Sequence, residues 1–323
     1  MTSIAVIGAG AVGGYYGAML ARAGHDVRFL LRRDLEAVRE RGLDVRSYLG
    51  DFHLPHVKAA GSPGELGQVD WVVCSLKATA LAEARALIEP CVGPETRVLA
   101  LMNGLGIEER FAEWLEPWRV FGGMAFVGIN RGEPGVIHHL AYGRVTIGHL
   151  LDDAVEIEGL RALLDSGGID VAVAPNLRWA RWEKLCWNVP FNGLSVACGG
   201  VGTHAIIKDT VLRATADRVM REVVAVGNAD LAAAGTDARL DEERVVGGMF
   251  AQTDAIGDYR TSMALDYVYG RPLEAEAIHG EVARRAESLG VAAPSLATLY
   301  AIVRAADARV RGEMAVIGRE EAG

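Results

Sequence analysis

Cysteine is scarce in this chain and poorly placed for cross-linking or metal binding. The four present, Cys74, Cys91, Cys186 and Cys198, form no CxxC pair and have no close histidine partners. That pattern excludes a dense disulfide framework and a cysteine-based zinc site, and it fits reduced thiols in a cytoplasmic protein. Long hydrophobic runs are also missing. The most apolar candidate, MTSIAVIGAGAVGGYYGAML, lacks a basic lead-in and is full of glycine. It reads as a buried strand and glycine-rich turn, not a secretion signal. Nowhere else do about 20 uninterrupted apolar residues suggest a membrane span. Positive charge is the third shortage: the formal net charge is −9, with no basic run. This argues against nucleic acid or an anionic membrane as the main partner. His138 and His139 have no partner at ligand spacing, so no metal site is expected.

What remains is ordinary globular material. A chain of 323 residues, half of them hydrophobic, suggests two domains with sizeable cores. SIAVI (3–7), VRFLL (27–31), VDWVVCSL (69–76) and RVLALM (97–102) are near-continuous apolar runs, as expected of parallel strands covered on both faces. Helical patterns lie between them, for example ATALAEARALIEP, and the alternation indicates an α/β sheet. From about 119 the texture becomes glycine-punctuated β structure. After Pro175 strand signals nearly vanish and successive helical patterns run to about 312. The expected organisation is therefore an α/β domain over 1–175 and an all-α domain over 176–323. The tail GREEAG is expected to fray.

The first strand leads into Gly8, Ala9, Gly10, Ala11, Val12 and Gly13, a GxGxxG motif with a helical pattern after it. The first glycine permits a tight turn, the second admits a pyrophosphate, and the third lets helix and strand pack closely. An NAD enzyme usually carries an acidic residue at the end of the second strand. This chain has Arg32 and Arg33 there, with Asp34 following. A guanidinium suits a 2′-phosphate, and Lys77 after the third apolar run could add a second positive charge. NADP(H) is the expected cofactor.

A second group of residues lies in three stretches. LMNGLG places Asn103 at a strand's carboxyl end, where ligands of open α/β sheets sit. WEKLCWNVPFN spaces Lys184, Asn188 and Asn192 four apart, so they form one polar seam on an otherwise apolar helix. SMALDYVYGRPLE puts Ser262 and Asp266 on one helical face and Glu274 in the first turn of a new helix after Pro272. Reducing a ketone by hydride creates an alkoxide that needs a proton or a positive charge. A lysine in a partly desolvated crevice between the domains can supply either, with a carboxylate to keep it charged. Spacing alone leaves another reading level with this one: Lys184 snorkels at the surface, and the asparagines cap a helix kinked at Pro190. Trp179 and Trp182 are expected to serve interdomain packing.

In order, the stretches GAGAVGG, SLKA, MNGLG, WEKLCWNVPFN and SMALDYVYGRPLE resemble those of the ketopantoate reductase family over nearly the whole chain. The resemblance implies a Rossmann-type NADP-binding domain over 1–175 and a helical substrate domain over 176–323. It also implies NADPH-dependent reduction of a 2-keto acid to a 2-hydroxy acid, most simply 2-dehydropantoate to pantoate in pantothenate biosynthesis. It implies that Lys184 is the catalytic lysine and that Glu274 pairs with it or with substrate. Asn103 would stand between cofactor and lysine, with Asn188, Asn192 and Ser262 binding substrate. Arg32 and Lys77 would lie near the adenosine phosphate. A homodimer is left open. Trp187, Pro190 and Phe191 depart from the family's usual residues and are expected to reshape the substrate pocket. An opine or 2-hydroxy-acid dehydrogenase and an inactive NADP-binding sensor are the competing readings. Retention of Lys184 and Glu274 counts against the sensor.

Overall fold

A computed structural model describes residues 1–314, so the GREEAG tail lies outside the described residues. The chain divides into two compact units, Met1–Ala180 and the residues from Arg181 onward.

The first unit is built on a ten-stranded sheet. Its strands are β1 (Ser3–Ile7), β2 (Asp26–Leu30), β3 (Leu43–Ser47), β4 (Phe52–Leu54), β5 (Lys58–Ala60), β6 (Val69–Cys74), β7 (Val92–Ala100), β8 (Val120–Arg131), β9 (Val136–His149) and β10 (Val171–Val173). They lie in the order β4-β3-β9-β8-β7-β6-β1-β2-β5, with β10 alongside β9. The run from β5 through β8 is parallel. The glycine-punctuated region forms the long antiparallel β8–β9 pair, and β3 joins β9 in parallel.

Alternation along the apolar strands explains why both faces are covered. Ile4 and Val6 enter one core, together with Trp71, Val73 and Leu99. Ala5 and Ile7 enter the other, with Val72, Cys74, Val98 and Ala100. Successive side chains of a strand point to opposite faces, so a continuous apolar run supplies two cores at once. Helix α1 (Ala11–Arg22) follows β1, and α2 (Leu35–Arg41) follows β2. The helix expected over ATALAEARALIEP is instead broken into a 3-10 stretch, Ala78–Glu83, and one short α turn, Ala84–Ile88. Ala80 leaves helical geometry there, and the α turn gives way to a further 3-10 turn, Glu89–Cys91, that contains Pro90.

The second unit contains no strand among its described residues. Its helices are Thr203–Lys208, Thr210–Ala233, Glu242–Ile256, Ser262–Val268, Glu281–Ser288 and Pro294–Val310, preceded by the greater part of Leu177–Ala197. Sequence-local signals set several of the starts. Asp209 accepts the Val211 and Leu212 N–H groups, Asp241 accepts Arg244, and Thr261 accepts Ala264. A π-turn, Glu276–Gly280, leads into Glu281–Ser288. Among the described residues no helix is long and apolar enough to cross a membrane.

Candidate active site

In the first unit the strand order places the predicted cofactor residues along one edge. β1 lies between β2 and β6, so the chain's direction of growth reverses there and leaves a crevice at the strands' carboxyl ends. The glycine turn follows β1, Arg32 follows β2, Lys77 follows β6 and Asn103 follows β7. These four strands are consecutive neighbours, so all the expected cofactor residues share one carboxyl edge. Arg32 and Lys77 are exposed, and Asn103 is half-buried.

The three glycines differ in what they do. Gly8 has φ of +89°, and a Cβ on it would come within 2.6 Å of the Leu76 amide nitrogen. A Cβ at Gly13 would stand 2.0 Å from Ser75 Oγ and 2.7 Å from the Gly8 carbonyl, so this glycine serves strand–helix packing. At Gly10 the nearest atom would be 3.9 Å away. That glycine is not needed for internal packing, and it leaves an open cradle at the start of α1. No side chain caps the α1 N-terminus. Its first-turn N–H groups are thus suited to an anion such as a pyrophosphate, and the residues present fit a dinucleotide.

In the second unit the seam is a continuous helical face. The Leu177–Ala197 helix runs through Pro190 without ending, so Asn188 and Asn192 are interior to it and cap neither end. Both are buried, and Lys184 is half-buried. Asn192 Oδ1 accepts the Met263 N–H at 3.4 Å, which joins the seam to the start of the Ser262–Val268 helix. Burial pushes the Lys184 ammonium down to about 7; the charge of Arg181 pushes the same way, and Glu274 opposes both. The Glu274 charge thus acts on Lys184 in the direction that favours the ammonium. Glu274 is buried and sits just ahead of the π-turn, its carbonyl accepting the Ile278 N–H, instead of within a first helical turn.

Ser262 and Asp266 do not share an environment. Ser262 is exposed, whereas Asp266 is buried and ion-paired to Arg271 at 3.0 Å. Trp187 and Phe191 are held by packing. They stack on each other at 5.1 Å, Trp187 bonds Thr253 Oγ1, and Phe191 meets Phe250. One residue off the seam is about 100° around the helix, which explains why they pack away from it. Trp179 packs against Met124, Ala174, Leu177 and Ala180 in the first unit. Trp182 donates to Asp230 at 2.8 Å in the second.

Two residues escaped the sequence reading. Arg181 is buried three positions before Lys184, so the seam extends one turn further than the lysine, and the i,i+3 spacing was its signal. His279 is buried in the π-turn and donates from Nε2 to the Val189 carbonyl at 2.8 Å, bracing the seam helix between Asn188 and Asn192. Burial pushes its imidazole down to about 4, so it is a neutral brace at pH 7. No local pattern in the sequence announces it.

The family model described as "Ketopantoate reductase PanE/ApbA" matches residues 4–152, and its C-terminal companion matches residues 176–307. The chain belongs to the ketopantoate reductase family. A 2-dehydropantoate 2-reductase from a Nostoc species is 37% identical over 97% of this chain and 98% of its own length. The crystal structure of 2-dehydropantoate 2-reductase from Geobacter metallireducens superposes with a TM-score of 0.89 at 42% identity, covering 94% of this chain and 99% of that one. A D-mandelate dehydrogenase solved with NADH and anilino(oxo)acetate shares the fold, with a TM-score of 0.85 at 23% identity over 96% of this chain and 99% of that one. This ketopantoate reductase family member is accordingly an oxidoreductase with a Rossmann-type unit followed by a helical one.

Proposed function

We propose that the chain reduces a 2-keto acid to a 2-hydroxy acid with NADPH, most simply 2-dehydropantoate to pantoate in pantothenate biosynthesis. The observation that carries this reading is the Lys184 ammonium, lowered to about 7 and set beside Arg181 and Glu274. A proton donor works best when its pKa lies near the working pH. The names of the full-length relatives support the substrate, and Arg32 in place of an acidic residue supports NADPH.

The roles divide by chemistry. When bound, the reduced dinucleotide supplies hydride to the carbonyl carbon. Lys184 gives its proton to the carbonyl oxygen as negative charge gathers there. Glu274 keeps that lysine charged enough to act or takes a substrate hydroxyl. Asn188 and Asn192 bind substrate oxygens through neutral amides, Ser262 adds a hydroxyl, and Asn103 stands between cofactor and substrate. Steady-state turnover of 2-dehydropantoate against a panel of other 2-keto acids, with NADPH and with NADH, tests the reading. A strong preference for 2-dehydropantoate with NADPH is expected. Preference for another keto acid would reject the substrate, and preference for NADH would reject the cofactor.

A further inference from the structure

His279 occupies a fitted socket in the second unit. Its imidazole is buried, and Nε2 donates to the Val189 carbonyl at 2.8 Å. Nδ1 is buried too and has no hydrogen-bond partner among the described residues. On the side of the seam helix the socket is formed by Gly193. A Cβ there would stand 2.8 Å from His279 Nε2 and 2.6 Å from Leu299 Cδ2, so the missing side chain is what admits the ring. Both features cost stability. Glycine inside a helix is about 1 kcal/mol worse than alanine, and an unpaired buried polar atom costs about 1–3 kcal/mol. Packing alone does not account for them, because an apolar residue at 279 would leave no polar atom unpaired.

What the bond joins does account for them. Val189 lies in the seam helix between Asn188 and Asn192, five residues after Lys184. Pro190 follows it, and a proline inside a helix removes a backbone bond and lets the helix bend there. His279 lies in the π-turn, five residues after Glu274, and turns of this kind are frequent at functional sites. The bond thus runs from the segment that carries the carboxylate to the helix that carries the lysine. The charges acting on Lys184 are Arg181 and Glu274. Arg181 is fixed to the lysine by the helix they share. The distance of Glu274 depends on how its segment docks on that helix, and a Coulomb interaction weakens as that distance grows.

We propose that His279 is a positioning residue for the proton transfer: by holding Val189 it fixes the Glu274 segment against the seam helix and sets the distance between Glu274 and Lys184. The inference rests on the reading of Lys184 as proton donor.

The pH profile of kcat/KM for keto-acid reduction by the full chain, measured beside melting temperature, tests it. His279→Leu removes the donor and leaves an apolar side chain. It should lower kcat about 10- to 100-fold. It should also move the break to lower pH by at least about half a unit, because a carboxylate held less closely supports the ammonium less. His279→Gln, whose amide nitrogen reaches about as far as Nε2, should keep the wild-type break. Glu274→Gln with His279→Leu should break where Glu274→Gln alone does, since no carboxylate remains to be positioned. If His279→Leu does not fold, Gly193→Ala carries the test: its methyl displaces the ring and should give the same downward shift, and a wild-type break there would overturn the inference. A lower melting temperature in His279→Leu with kcat and the break unchanged would reduce the bond to a structural tie. A shift of full size in the Glu274→Gln background would equally overturn the inference, because the effect would not run through Glu274. If the break moves with Glu274→Gln but not with His279→Leu, this inference falls alone. A wild-type profile whose break ignores Glu274→Gln would overturn the proton-donor reading and this inference with it.

Discussion

Asn192 ties two helices together: its side-chain oxygen accepts the Met263 N–H at 3.4 Å, from within the Leu177–Ala197 helix to the first turn of Ser262–Val268. The seam thus has a structural member. Met263 and Thr261 are both buried at that junction, so the bond is made away from water. Leaving a buried amide N–H without its partner costs more than the bond's net contribution.

Asn188 and Asn192 should therefore respond differently to truncation. Asn192→Ala is expected to cost about 1–3 kcal/mol of stability, read as a lower melting temperature, along with weaker keto-acid binding. Asn188→Ala should raise KM for the keto acid with a much smaller change in melting temperature. Cofactor affinity should change little in either variant. Unchanged kinetics in Asn188→Ala would remove that residue from the substrate site.

The glycine loop gives a sharper contrast. A Cβ at Gly13 would meet Ser75 Oγ at 2.0 Å and the Gly8 carbonyl at 2.7 Å, whereas at Gly10 the nearest atom is 3.9 Å away. Gly13→Ala should destabilise the first unit by about 1–3 kcal/mol through overpacking. Gly10→Ala should fold with a normal melting temperature and lose at least about tenfold in dinucleotide affinity, because its methyl fills the cradle. Normal dinucleotide affinity in Gly10→Ala would place the pyrophosphate elsewhere.

Much of this arrangement was legible because its signals are local. Ser3–Ile7 and the glycines after it follow from a β-branched run and a turn motif, and Lys184, Asn188 and Asn192 follow from helical spacing. The strands Leu43–Ser47, Phe52–Leu54 and Lys58–Ala60 were not legible. They are short, three to five residues each, and mix polar with apolar residues, so their pairing with β9 and β2 supplies what their own sequences do not. The partners of Trp187 and Phe191, namely Thr253 and Phe250, lie about 60 residues away, so no local pattern shows how these rings pack. His279 was out of reach for a related reason: its partner, Val189, is 90 residues away, and the π-turn that aims it has no sequence signature.

Lys184 carries the most consequential expectation. The donor form is the charged ammonium, and its pKa is held down to about 7 by burial and by Arg181, against the pull of Glu274. Reduction measured as kcat/KM should therefore be level below pH ~7 and fall about tenfold per unit above it. The neighbours should move that break in opposite directions. Arg181→Met removes a positive charge, favours the ammonium and shifts the break to higher pH. Glu274→Gln removes a negative charge, disfavours the ammonium and shifts it lower. Lys184→Ala should lower kcat by about 100- to 10,000-fold while dinucleotide affinity is retained. Adding Glu274→Ala should cost less than the two separate losses combined if the residues act as a pair. A folded Lys184→Ala protein with near-normal turnover, or a pH break that ignores both neighbours, would take the proton donor's role away from the seam.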